Sequence, residues 1–272
     1  IMLMMITIYT ITGSAVYAAE IPVSDQDQLI TSRDWTEISN LQDEMKKEEP
    51  DATIDYDKAL KVYVDCNLIK LQTADTKKLT SALESANYVW VIPFKMEKTY
   101  GMFTVAKGLP LREEAKSVLT KAEQEEVKNH AGKWMITETA EHTVEPYYDI
   151  LLEKREALSD CTRVVLVGSQ PGMRQPVALG MDDETARIWI SLGYQYPVME
   201  KIPETQNVES GVYSFDSVAE ISDTYIEDSE VSTGAGVQSR SSMKYVAGIG
   251  IIVIGSIIIL SVLKKKKLED YE

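Results

Sequence analysis

The chain has 272 residues, 44% of them hydrophobic, and a formal net charge of −15. The length admits one or two domains, and the hydrophobic fraction is ordinary for a protein with a packed core. The acidic balance excludes a nucleic-acid partner, because a polyanion is repelled rather than gripped, and it disfavours a folded part lying flat on an anionic bilayer.

Residues 1–18 are apolar or hydroxylic and carry no charge. They end in Val16-Tyr17-Ala18, with short residues at the positions that flank signal-peptide cleavage, so this segment is expected to be a signal peptide cut after Ala18. No Lys or Arg precedes it, the one departure from that pattern. Residues 19–55 read as a polar segment with one helix. Asp34 stands as its N-cap with Glu37 three residues on, and Trp35, Ile38, Leu41 and Met45 fall on one face.

The folded part is expected over residues 56–202. Alternation marks a strand at Lys61–Asp65, and Asp75 caps a helix that places Leu79, Ala82, Leu83 and Ala86 together. The aromatic and β-branched run Tyr88–Phe94 is a strand, with Pro93 pointing to an edge or bend. A second strand follows at Met102–Ala106. Then come helices at Arg112–Leu119 and Lys121–Asn129, the latter opened by the capping box Thr120 and Glu123. A strand at Lys133–His142, a helix from Pro146 to Leu158, and strands at Arg163–Gly168, Gln175–Gly180 and Thr185–Leu192 complete the pattern. The class is therefore α+β, with a mixed or mainly antiparallel sheet and flanking helices. The order of elements is loosely similar to sensor domains of the PAS and Cache kind.

Residues 203–244 are rich in Ser, Glu, Asp, Thr and Gly without apolar period, and read as an acidic flexible stalk. Forty-odd such residues span roughly 35 Å by random-coil scaling. The uncharged run Tyr245–Leu263 is expected to be a transmembrane helix, about 28 Å long against a hydrocarbon core of ~30 Å. Lys264 to Lys267 follow at once and orient it, with residues 264–272 a cytoplasmic tail and the bulk of the chain extracellular. This plan resembles bacterial surface proteins, Gram-positive ones in particular, although no LPxTG sorting motif is present.

The candidate chemistry is sparse. The chain contains no HExxH, CxxC, GxSxG, P-loop or GxGxxG motif, so neither a cofactor nor a metal is expected. Cys66 and Cys161 allow one disulfide, closing a loop of about 100 residues worth about 4–5 kcal/mol; two separate thiols are the alternative. His142, Cys161 and Arg174 offer a sortase-like Cys–His–Arg set, although Ser159-Asp160-Cys161-Thr162 lacks that family's strand motif. Asp65 and Asp160 are the carboxylates a glycosidase-like hydrolase would pair. Tyr88, Trp90, Phe94 and Trp134 form either a sugar-binding face or core. In the loop from Val167 to Val177, Pro171-Gly172 predicts a type II turn. Ser169, Gln170 and Arg174 on that loop are a candidate ligand-binding set for a carboxylate or phosphate. The expected function is partner binding by a membrane-anchored extracellular domain, the partner being a protein, a glycan or another subunit. A cell-envelope hydrolase and a small-molecule sensor signalling through a partner are the alternatives.

Overall fold

The computed structural model describes residues 21–142, 145–168, 170–173, 175–194 and 196–222. They form an α+β structure around one ten-stranded, mostly antiparallel sheet. The strands are β1 (Thr53–Ile54), β2 (Leu60–Val64), β3 (Asn87–Lys95), β4 (Tyr100–Lys107), β5 (Trp134–His142), β6 (Arg163–Val167), β7 (Val177–Met181), β8 (Ala186–Ser191), β9 (Asn207–Glu209) and β10 (Val212–Ser214). Their order is β5-β4-β3-β2-β6-β7-β8-β10-β9, with β1 paired to the end of β3. Only β2 and β6 are parallel neighbours among these pairs, so two antiparallel meanders run outward from one central seam.

Register divides the side chains cleanly between the two faces. Lys61 stands opposite Trp90 and Trp90 opposite Val105, which puts Trp90, Ile92, Phe94, Phe103 and Val105 on one face. Leu29, Ile38 and Met45, from the segment ahead of the sheet, bury against them. Tyr63, Val165, Leu179 and Trp189 continue that face across the seam, under Leu79 and Leu83 of α3 (Thr76–Ser85). The opposite face carries Val62, Leu166, Ala178 and Ile190, packed under Tyr147 and Leu151 of α6 (Tyr147–Glu153).

Local chemistry explains most boundaries. The Asp75 carboxylate accepts from the backbone N–H groups of Lys77 and Lys78 at the start of α3. The capping box forms at α5 (Lys121–His130), where the Thr120 N–H donates to the Glu123 carboxylate at 2.7 Å. Pro93 lies inside β3, where its missing N–H faces the gap between β2, which pairs as far as Val91, and β1, which begins at Phe94. The Pro93 carbonyl accepts from the Asp55 N–H on that same side. Gly101 is required by packing: a Cβ there would sit 2.1 Å from the Phe94 ring, which lies over it from the opposed strand position.

Two expected boundaries are corrected. The single helix read from Asp34 onward is α1 (Trp35–Ile38), a 3₁₀ turn at Ser39–Leu41, and α2 (Gln42–Glu48). Its apolar face docks as expected, with Ile38 and Met45 fully buried. Asp34 makes no cap bond, because its carboxylate accepts instead from Tyr88 Oη (2.8 Å) and Trp90 Nε1 (3.1 Å). The segment read as a stalk is folded as far as residue 222: β10 pairs with β8, residues 215–222 are helical, and Val212, Phe215 and Val218 are buried. Their apolar side chains have no helical or strand period long enough to show in the sequence, yet each fills a site on the sheet. Residues 1–18, 223–244, 245–263 and 264–272 lie outside the described residues. Among the described residues, no helix is long and apolar enough to cross a membrane.

Candidate functional site

The loop between β6 and β7 forms the expected turn. The Met173 N–H donates to the Gln170 carbonyl at 2.8 Å, and Gly172 takes φ +71°. Ser169 and Arg174 lie outside the described residues. Gln170 is not offered to a ligand: it is buried, its amide oxygen accepts from the Leu68 N–H (3.0 Å), and its NH2 donates to the carbonyls of Cys66 (2.7 Å) and Gly168 (3.1 Å). It ties the loop after β6 to the loop after β2, at the C-terminal ends of the two parallel strands. The binding role expected for Gln170 is therefore corrected to a clamp, since every polar atom of its amide is committed.

Other expected constellations come apart. Cys66 follows the end of β2 and packs against the cluster that holds Leu68 and Val167, whereas Cys161 precedes β6 and belongs to the cluster on the opposite face with Leu158 and Ala178. Both thiols are free, so no disulfide joins them; they sit at opposite ends of the parallel pair. Asp65 and Asp160 are separated in the same way and form no carboxylate pair. Asp65 adopts φ +53° and accepts from the Asn87 side chain. His142 ends the edge strand β5, four strand spacings or about 19 Å from the β6 side of the sheet, so its backbone is out of reach of a Cys161 pairing. Burial, the largest cause, pushes the Cys161 thiol up to about 11, which keeps it protonated and unreactive. Trp90 and Phe94 are fully buried and Trp134 nearly so, and the aromatic strand is core rather than a sugar-facing surface.

The arrangement that sequence reasoning misses lies at the seam. The chain at residues 21–28 wedges between the lower ends of β2 and β6: Val23 bridges Val164, Gln28 bridges Leu60, and the Val164 N–H donates to the Pro22 carbonyl at 2.7 Å. This wedge delivers Asp27, which is 2% exposed, onto the same face as Lys61, Tyr63 and Arg163. Its carboxylate accepts from Ser24 Oγ (2.6 Å), Tyr63 Oη (2.7 Å) and Arg163 Nη2 (2.9 Å), with Lys61 Nζ at 3.5 Å. Burial alone would raise the Asp27 carboxyl, but the Ser24 and Tyr63 hydrogen bonds and the Arg163 charge outweigh it and hold the group below its ordinary value. The Lys61 ammonium also stands over the rings of Tyr88 (4.7 Å), Trp90 (5.2 Å) and Tyr63 (5.6 Å). Desolvation dominates there and lowers the Lys61 value despite Asp27. The cluster is largely shielded from solvent, with Arg163 at its edge, and acts as an internal fastening. Asp27 in Ser-Asp-Gln-Asp-Gln carries no mark of it, because its partners other than Ser24 lie 34 to 136 positions further along the chain.

A solvent-open cleft with a volume of about 340 Å³ lies elsewhere, between the turn at Asp160–Cys161, the start of β8, and β9–β10. Its lining includes Asp160, Asp216, Arg187, Ile188, Val208 and Phe215. Arg187 Nε lies 3.4 Å from the Asp182 carboxylate, which also accepts from the Glu184 and Thr185 N–H groups. Those backbone bonds, the leading cause, hold the Asp182 carboxyl below its ordinary value. Cys161 closes the cleft floor against Gly180, where a Cβ would meet Sγ at 2.8 Å. Among the described residues, no group of three or more His, Cys, Asp or Glu side chains could hold a metal ion.

The class this geometry defines is an α+β domain with an open cleft among its described residues. No protein-family model, no curated protein and no solved structure matches the chain.

Proposed function

We propose that the chain is a membrane-anchored extracellular surface protein whose folded domain binds a partner. The observation that carries this reading is the uncharged run Tyr245–Leu263 followed directly by Lys264 to Lys267, the pattern of a span whose basic side stays in the cytoplasm. The domain at residues 21–222 would then stand outside the cell. Binding is favoured over the hydrolytic alternative by the separation of Asp65 from Asp160 and by the distance of His142 from Cys161. The sensor alternative keeps one supporting observation, the open cleft beside Cys161. Treating intact cells with a membrane-impermeant amine cross-linker tests the proposal. The expected result is a higher-mass adduct that requires residues 21–222; a chain that stays uncross-linked at the surface of cells that carry it contradicts partner binding.

A further inference from the structure

We infer that the outer edge of β5 is a docking strand for an extended, basic segment of a partner protein, an inference that rests on the partner-binding reading and deepens it. β5 closes one end of the sheet with nine residues, whereas the other end is the three-residue β9. Two hydrogen bonds fix which of its backbone groups face outward. The Asp55 N–H donates to the Pro93 carbonyl at 2.9 Å, so Pro93 faces away from β4. Directly opposed residues of an antiparallel pair exchange both bonds or neither, and successive residues face alternate sides. Met102, opposite Pro93, therefore turns its N–H and C=O to Ala140, and Thr139 and Glu141 turn theirs outward. At the other end of β5 the Gly108 N–H donates to the Lys133 carbonyl at 2.9 Å, so Trp134 and Ile136 also face outward. Among the described residues, nothing hydrogen-bonds to the backbone of these four on the outer side, and their N–H and C=O groups form an open ladder.

The side chains select the occupant. Glu138 and Glu141 are exposed at one end of the edge, and Glu48 is held there as the acceptor of the Thr139 hydroxyl. Carboxylates beside a run of free backbone groups favour a strand that carries Lys or Arg, because opposite charges across a strand pair attract. A second copy of the chain is disfavoured, since it sets the same glutamates against themselves and brings a net charge of −15 to each side. The register shift at Thr104 marks a bulge that splits the open ladder into two runs, a feature that deters a long flat strand and leaves the Thr139–Glu141 run free for a short one. Strand addition of this kind draws affinity from the main chain and selectivity from the side chains beside it.

The test uses the full chain in detergent, titrated with a labelled hexapeptide of alternating Lys and Val, its Glu–Val counterpart and a fully N-methylated Lys–Val peptide. Fluorescence anisotropy reads binding and amide hydrogen exchange reads the site. The expected result is saturable binding of the plain Lys–Val peptide alone, with exchange slowed at Thr139 and Glu141 and unchanged at Ala140, whose N–H already bonds β4. Thr139→Pro removes an outward N–H and leaves the β4 ladder intact, a position where an edge strand tolerates proline. It weakens binding roughly tenfold, the scale of one or two lost hydrogen bonds. Glu138→Gln with Glu141→Gln also weakens binding, most at low salt. Should Thr139→Pro disturb the fold, the exchange pattern of the native chain decides alone. No saturable binding, binding shared by the Glu–Val or N-methylated peptide, or slowed exchange that misses Thr139 and Glu141 overturns the inference. Slowing of the same amides with rising chain concentration and no peptide assigns the edge to a second copy and overturns it as well. A surface adduct on intact cells undiminished by Thr139→Pro overturns it and leaves partner binding standing. A missing adduct beside the expected peptide pattern removes the partner-binding reading and keeps the edge.

Discussion

Asp27 shows how much of this fold rests on single buried contacts. It stands 2.9 Å from Arg163 and 3.5 Å from Lys61, with side-chain exposures of 3%, 17% and 10% respectively. Removing one member of a buried ionic group leaves its partners desolvated and unpaired, so Asp27→Asn is expected to lower stability by about 3 kcal/mol in urea unfolding. The pH dependence has a definite sign. The folded-state carboxyl of Asp27 lies below its ordinary value of 3.8, so its contribution is present above that value and lost as pH falls through the lower folded one. The stability gap between native protein and Asp27→Asn should therefore be full at neutral pH and close only in strong acid; a gap that closed near pH 6 instead would implicate another group. Gln170 carries a second residue-scale prediction. Gln170→Ala deletes three hydrogen bonds, two of which join the two loops, and leaves the Leu68 N–H and the Cys66 and Gly168 carbonyls without that partner in a buried site. The expected cost is about 1–3 kcal/mol, with faster amide exchange in both loops.

Among the elements, the strands and helices that obey local rules were readable in the sequence. The Asp75 cap, the Thr120–Glu123 box, the Pro171-Gly172 turn and the period-two strands all depend on neighbours within a few positions, and all formed. What was illegible depends on distant partners. Asp34 abandons its cap because Tyr88 and Trp90 present two donors across the core. Val212 belongs to the fold because β8 offers it an edge, and Phe215 and Val218 because the core that holds Trp189 takes them in, although their segment is as polar as a linker. The site residues follow the same division: the loop turn at Gly172 was legible, whereas the clamp role of Gln170 and the wedge that carries Asp27 were not. Packing at Gly101 gives an element-scale prediction. Gly101→Ala forces a methyl into the Phe94 ring, and the shift in two paired strands should cost about 1–3 kcal/mol in urea unfolding.

For the whole molecule, the mirrored order of strands about the parallel β2–β6 seam makes the two halves mutually dependent. The chain at 21–28 closes that seam from one end and Gln170 from the other. Cutting the chain after residue 202 removes Val212, Phe215 and Val218, each worth about 1.5–3 kcal/mol of burial, a loss comparable to the whole stability of a domain. A product ending at 202 is expected not to fold cooperatively, while one ending at 222 keeps a sharp thermal transition. The proposal that this domain is held at the outer surface of a membrane is tested by fractionating cells that make either the full chain or a version lacking residues 245–272. The full chain is expected to stay with the membrane after alkaline extraction, with its domain open to protease added outside, and the shortened chain to be released in soluble form. Soluble full-length chain, or a domain protected from external protease in intact cells, would contradict it.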